Sequence, residues 1–226
     1  KNLMSIVKQL DALKKIIISS SKFIAKNGYT VKSQFDYCPH TVYGESKVIT
    51  EKNVWNNPPA CDWAIIRPTS IWGPHFSIPY KNFFDLIISG LYFHIGKSKC
   101  YKTYGYIGNS VYQIDQIMMT ETYDLDNKIF YIGDEPPYEI NEWADEIALE
   151  LKIKNKTLPV WFVRVLAKFG DFLSLVNIKF PMQSFRYNNM TKDGTNDLSS
   201  TYEVAPEIPF RRAEGVSETI KWIKNQ

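Results

Sequence analysis

The sequence predicts an α/β fold: a parallel β-sheet with crossover helices over residues 1–132, followed by a mainly helical lobe over residues 133–226. Three observations lead there. Helical and strand-like apolar patterns alternate through the first 70 residues, as they do in chains that build parallel sheets. Beyond Ile132 the apolar spacing is mostly that of amphipathic helices. A length of 226 residues with 44% hydrophobic and 23% charged side chains suits one ordinary globular domain with its own core, or one domain plus a small appended lobe.

Taken in order, Leu3, Ile6, Val7, Leu10 and Leu13 recur at helical spacing, and the β-branched run Ile16, Ile17, Ile18 reads as a buried strand. That strand ends in Ser19, Ser20 and Ser21. A polar loop with Asn27-Gly28 and Pro39 leads to a helix over residues 41–56, stopped by Asn57-Pro58-Pro59. Residues 63–67 (WAIIR) form a second strand, closed by Pro68. After Gly73-Pro74 the reading is a helix near residues 82–91, a short segment at 104–107, a helix from Val111 to about Tyr123, and a strand over 128–132. Asn141 is the expected N-cap of a helix carrying Trp143, Ile147, Ala148 and Leu151, with further helices over 160–175 and 216–223. No internal repeat is visible.

Composition removes several function classes. With 27 basic and 24 acidic residues scattered along the chain, a net charge of +3 gives no single-sign field, so no nucleic-acid partner is expected. Cys38, Cys61 and Cys100 are odd in number and show no CxxC spacing, which fits a reducing, cytoplasmic setting. His40, His75 and His94 share no ligand spacing, so no metal site is expected. The most apolar stretch, residues 160–176, contains Arg164, Lys168 and Asp171 and so reads as an amphipathic helix and not a span. With no signal peptide visible either, no membrane partner is expected. The acidic set Glu142, Asp145, Glu146 and Glu150 reads as a solvated helix face. Aromatic content is high, at 14 Tyr, 13 Phe and 6 Trp, a supply for large buried contacts or for stacking against rings.

The segment Tyr43-Gly44-Glu45-Ser46-Lys47 carries the chemistry. Tyr43 and Lys47 are four residues apart and share one side of the predicted helix. Chance alone gives about one such pair in a chain of this composition, so the spacing by itself is weak. Its context is stronger, because the helix follows a serine cluster at the carboxyl end of a strand, where open parallel sheets place ligands. A phenol ionises near pH ~10 unless a neighbouring cation favours its phenolate, and an adjacent lysine is such a cation. A strand-end serine hydroxyl can hold a substrate oxygen while the tyrosine exchanges its proton. Hydride transfer at such a site requires a nicotinamide, since no side chain supplies hydride.

In order and spacing, IIISSS, YGESK and IIRPTSIWGP resemble three successive signatures of the extended short-chain dehydrogenase/reductase family, the NAD-dependent epimerases and dehydratases. The resemblance implies a partial Rossmann-like sheet with a helical substrate lobe, NAD or NADP as cofactor, and epimerisation or reduction of a nucleotide-linked sugar. It carries the catalytic roles to Ser21, Tyr43 and Lys47, with Ser20 the alternative serine. It places Ser19, Ser20, Tyr43, Lys47, Pro68 and Ile71 beside the cofactor and Ser70 and Arg186 beside the substrate; the sheet edge left unpaired where the first strands of the pattern are missing makes a homodimer a further expectation. A non-catalytic binding or assembly role on the same scaffold is the alternative reading.

Departures from the family pattern set further expectations. No Gly-x-x-Gly-x-x-Gly turn is present, so the chain is expected to enter the pattern at the helix before the catalytic strand, to hold a dinucleotide poorly and to be inactive alone. Ser70 stands where an asparagine often touches substrate, and Lys102 and Asn109 replace an Arg and an Asp. Sugar 4,6-dehydratases carry an Asp-Glu pair where this chain has Lys22 and Phe23, so dehydration is disfavoured against epimerisation or keto reduction.

Overall fold

The computed structural model describes residues 2–7, 10–121, 128–178, 180 and 182–226. Along the chain run α1 (Asn2–Val7), β1 (Lys15–Ser19), α2 (Val42–Asn56), β2 (Asp62–Pro68), β3 (Ser70–Trp72), α3 (Lys81–Ile88), β4 (Phe93–Ile95), β5 (Tyr101–Lys102), β6 (Tyr104–Tyr106) and α4 (Ile107–Met119). There follow β7 (Ile129–Ile132), β8 (Tyr138–Glu139), α5 (Ile140–Glu150), β9 (Lys156–Leu158), α6 (Val160–Leu175), α7 (Ser184–Thr191), α8 (Ser199–Val204) and α9 (Arg212–Lys224). They group into two compact units that interleave in sequence. Unit 1 comprises Lys1–Ile71, Thr103–Glu135 and Asn196–Arg211; unit 2 comprises Trp72–Lys102, Pro136–Thr195 and Arg212–Gln226.

Unit 1 is built on a parallel sheet in the order β1-β2-β7, with Ile17 opposite Ala64 and Ile66 opposite Phe130. Successive side chains on a strand point to opposite faces, and β2 is buried from Asp62 through Arg67, so it needs cover on both. Ile18, Trp63, Ile65 and Ile129 pack with Val54 of α2 on one face. Ala64, Ile66, Phe130 and Ile132 pack with Ile117 of α4 on the other. This is the sandwich of helices that a doubly covered parallel sheet requires. Residues 196–211 join the second face, where Val204 contacts that cluster and Thr201 Oγ1 donates to the Tyr131 carbonyl at 2.7 Å.

Unit 2 holds a core of rings. Trp72 lies 5.6 Å from Phe84 and 5.1 Å from Trp143, and Phe83 stacks on Trp143 at 4.7 Å, centroid to centroid. Offset and edge contacts of this kind add to the area the rings bury, which accounts for much of the aromatic excess. β4 pairs in parallel with β9, and α6 lies against them through Val163 and Ala167.

Most sequence-predicted elements appear within a turn of their expected limits. The first helix is described over Asn2–Val7, and residues 10–13, expected to continue it, are not helical; α4 runs from Ile107 to Met119, and its expected end at Tyr123 lies outside the described residues. Asn141 is not the cap of α5. Glu139 is, its carboxylate accepting from the Asn141 and Glu142 amides at 3.2 and 3.0 Å, and an ionised cap also suits the positive end of a helix. Nor is the acidic set simply a solvated face. Arg212 grips Glu146 through two nitrogens at 2.7 and 2.6 Å, and Asp145 contacts His94 at 2.9 Å. In place of one division at residue 132, residues 72–102 group with the second unit and residues 196–211 with the first.

Candidate active site

The candidate site lies at the carboxyl end of β1 in unit 1. Ser20 continues the parallel pairing, its amide donating to the Ile66 carbonyl at 2.7 Å, while its buried hydroxyl donates to the Glu51 carboxylate. Ser21 then caps the short 3-10 turn Lys22–Ile24, its Oγ accepting from the Phe23 amide at 3.2 Å. The three serines therefore have different duties. Ser19 offers its carbonyl, Ser20 is committed to Glu51, and Ser21 retains a hydroxyl proton at the strand end.

Helix α2 brings up the tyrosine and the lysine. Thr41 caps it by accepting from the Gly44 amide at 3.0 Å, which fixes the first turn and with it Tyr43. Gly44 is needed there, because a Cβ at that position would overlap the backbone carbonyl of Phe23. Tyr43 is 53% exposed, with the Phe23 ring edge-on at 6.3 Å. One turn on, Lys47 Nζ lies 5.5 Å from the Tyr43 ring centroid and donates to the Ser19 carbonyl at 3.0 Å. Lys47 thus ties the helix to the strand end, with Tyr43 one turn before it on the same helix.

Beneath them lies a network that the sequence reading missed. Glu51, fully buried, receives two bonds from Arg67, at 3.0 Å from Nε and 2.7 Å from Nη2, besides the Ser20 hydroxyl. Arg67 also donates to the Tyr131 hydroxyl at 3.1 Å and the Gln34 carbonyl at 3.0 Å. Burial pushes the Tyr131 phenol above its ordinary range, so it stays a neutral acceptor here. A buried charge needs partners of this number and quality. The available signal was that Glu51 follows Lys47 by one helical turn and Arg67 ends the WAIIR strand.

The remaining expected residues divide between the units. Pro68 ends β2, and Ile71 packs at the margin of the α4-side cluster. Ser70 is buried and its Oγ accepts from Lys22 Nζ at 2.7 Å. Arg186 belongs to α7 of unit 2. Asn109 is structural: its amide nitrogen donates to Asp134 at 3.1 Å and to the Phe210 carbonyl at 3.0 Å. Among the described residues no group of three His, Cys, Asp or Glu side chains is placed to hold a metal ion, and no helix is long and apolar enough to cross a membrane.

No family model matches the chain. A relative from Escherichia coli O157:H7, N-acetyl-alpha-D-glucosaminyl-diphospho-ditrans,octacis-undecaprenol 4-epimerase, is 24% identical over 225 residues, covering 94% of this chain and 66% of the relative. Among solved structures, UDP-glucuronic acid 4-epimerase from Bacillus cereus, in complex with NAD, superposes with a TM-score of 0.70 at 12% identity, covering 99% of this chain and 63% of that one. UDP-glucose 4-epimerase from Thermotoga maritima, with UDP-glucose, gives 0.64 at 17% identity, covering 99% and 67%. The chain thus spans about two thirds of the length of the proteins it matches, and its fold is the Rossmann-like α/β fold of these sugar-nucleotide epimerases, as the sequence motifs imply.

Proposed function

We propose that this chain belongs to the extended short-chain dehydrogenase/reductase family and carries the proton-transfer residues of a NAD(P)-dependent 4-epimerase acting on a sugar held through a diphosphate. The observation that carries this reading is the strand-end assembly: Ser21, Tyr43 and Lys47 converge on the carboxyl end of β1, with Lys47 tied to the Ser19 carbonyl and 5.5 Å from the Tyr43 ring. Tyr43 takes the proton of the sugar C4 hydroxyl and later returns it, Ser21 holds that oxygen, and Lys47 keeps a positive charge beside the phenol.

A nicotinamide fits part of this surface. The Tyr43 hydroxyl and the Lys47 ammonium are donors suited to ribose hydroxyls, and Pro68 and Ile71 are the apolar residues that the family resemblance assigns to the cofactor. The glycines of the chain form no phosphate-cradling turn, so the pyrophosphate half has no counterpart in these residues. The group supplies reversible hydride acceptance when bound.

A diphosphate-linked sugar is common to the UDP-sugar enzymes and to the undecaprenyl-diphosphate enzyme among the relatives. We assign Ser70, now joined by Lys22, to the sugar side, and Arg186 to the diphosphate as a bidentate donor. The test is turnover of UDP-linked and undecaprenyl-diphosphate-linked N-acetylglucosamine with NAD or NADP, followed by mass spectrometry and sugar analysis. An isobaric C4 epimer is expected, and Tyr43→Phe should lower turnover by about 10²-fold or more. Unchanged turnover in Tyr43→Phe would remove that residue from the chemistry, and a product lighter by one water would replace epimerisation with dehydration.

A further inference from the structure

Helix α6 of unit 2 turns its small side chains inward and its large ones outward. Val163, Ala167 and Gly170 are buried, and a Cβ on Gly170 would overlap the Met182 carbonyl, so the backbone approach on that side is close. On the opposite side Trp161, Val165, Phe169 and Phe172 are between 51% and 67% exposed. Their spacing of four, four and three residues aligns them in one stripe along the helix. Exposed Leu175, Val176 and Ile178 extend it past the helix end, and Phe185 of α7 is also exposed.

A helix that is merely part of a globular fold buries its large apolar side chains, and a contiguous exposed apolar patch marks an interaction site. Charge narrows the kind of partner. Arg164 and Lys168 follow one flank of the stripe and, with Val165, Ser184, Tyr187 and Asn188, line a cavity of about 320 Å³ between α6 and α7. Arg164 Nε donates to the Tyr187 hydroxyl at 2.8 Å, and its guanidinium lies 5.8 Å from that ring's centroid, which holds the group at the cavity. Asp171, the acid of this helix, is occupied in accepting from the Ser184 amide at 3.0 Å.

We propose that α6 and α7 form a docking surface for the anionic face of a phospholipid bilayer. The Trp161–Phe172 stripe enters the acyl boundary, and Arg164 and Lys168 meet lipid phosphates at the cavity mouth. An apolar stripe with a tryptophan and flanking cations is the make-up of a helix that lies in the interface plane. A neutral apolar partner would cover the stripe and leave both cations unpaired, whereas an anionic bilayer satisfies the two together. At 16 residues with charges along it, α6 lies on the membrane and does not cross it. The proposal departs from the expectation of no membrane partner and stands independently of the chemistry proposed at Tyr43.

Flotation of the chain with vesicles of phosphatidylglycerol and phosphatidylcholine, against phosphatidylcholine alone, tests this. Binding is expected only to the anionic vesicles. It should weaken about tenfold or more in the double variant Phe169→Asp/Phe172→Asp and about fivefold in Lys168→Gln. All three positions are exposed, and unchanged melting of the variants confirms that they fold. As a second readout, brominated acyl chains should quench the fluorescence contributed by Trp161, taken as the difference from Trp161→Phe. Failure to bind anionic vesicles overturns the proposal, as does equal binding by the double variant. Self-association abolished by the same double variant, without vesicle uptake, would assign the stripe to a second copy of the chain.

Discussion

Replacing Glu51 by alanine should be the most damaging single change near the candidate site. The carboxylate is fully buried, holds Arg67 by two bonds and accepts the Ser20 hydroxyl. Removing it strands a guanidinium that is 1% exposed as a side chain, leaving it the neutral Tyr131 hydroxyl and Gln34 carbonyl and the Tyr37 ring, none of which carries a compensating charge. Breaking a buried pair by deleting one member costs about 3–5 kcal/mol, because the survivor stays charged and out of water. A domain is stable by roughly 5–15 kcal/mol in total, so this loss consumes about a fifth or more of it. Glu51→Gln keeps the shape and one acceptor oxygen and should cost roughly half as much. Urea unfolding followed by fluorescence reports on unit 1 through Trp55 and Trp63, whose rings meet edge-to-face at 4.8 Å. A loss below about 1 kcal/mol in Glu51→Ala would refute the argument, since it would mean that Arg67 finds water or another anion when its partner is gone. Joint replacement by Glu51→Leu and Arg67→Met should recover much of the loss, because neither charge is then left behind.

Two further outcomes follow from the same geometry. Gly44→Ala gains about 1 kcal/mol of helix propensity but drives a methyl into the Phe23 carbonyl. A net loss of about 1–2 kcal/mol and reduced turnover are expected, since overpacking against backbone costs about 1–3 kcal/mol; a melting temperature raised by the substitution would contradict the close approach. For Asp171, bonds from the Ser184 hydroxyl and amide hold the carboxyl below its ordinary value of 3.8. A carboxyl lowered in the folded state contributes stability that is complete above its unfolded value and is lost as pH falls through the folded one. Melting of unit 2 between pH ~2 and ~5 should therefore depend less on pH in Asp171→Asn than in the parent chain, and identical profiles would show that the bond carries no linkage.

Local pattern made the core of unit 1 legible and left the short and weakly buried elements of both units dark. β1 and β2 announce themselves as apolar β-branched runs, and α2 begins at a threonine cap and ends at Asn57, ahead of two prolines. By contrast α8 buries only Thr201, and α7 has no fully buried residue, so neither displays an apolar period to read. The two-residue strands β5 and β8 exist through pairing across the chain, Tyr101 with Glu139 and Lys102 with Tyr138, and no window of sequence contains both partners. The Arg67–Glu51 pair was hidden for the same reason. Its members are separated by 16 residues, and each alone resembles an ordinary surface charge. The Tyr43/Lys47 pair was visible because helical spacing is a local rule, whereas the commitment of Ser20 to Glu51 became visible only in three dimensions.

That commitment bears on the roles proposed for the serines and on the proposed reaction. Had the strand ended with Ser20 free, two hydroxyls would compete for the role, but the Ser20 proton is already donated into a buried carboxylate. Ser21 is left with its oxygen accepting from the Phe23 amide and its proton available, the arrangement needed to donate to a sugar oxygen. The next two residues are used in positioning. Lys22 donates to Ser70 at 2.7 Å, and Phe23 packs its ring edge-on against Tyr43. Eliminating water after C4 oxidation requires one group to remove the C5 proton and another to protonate the departing C6 oxygen. Phenylalanine carries no proton to exchange, and an ammonium engaged with Ser70 offers no free base. A serine that accepts from Lys22 keeps its own O–H as a donor, which fits the sugar-side role proposed for Ser70. Donors suit the hydroxyl and carbonyl oxygens of a sugar, and the lack of a free base and of a second proton donor at Lys22 and Phe23 is what favours the proposed epimerisation over dehydration.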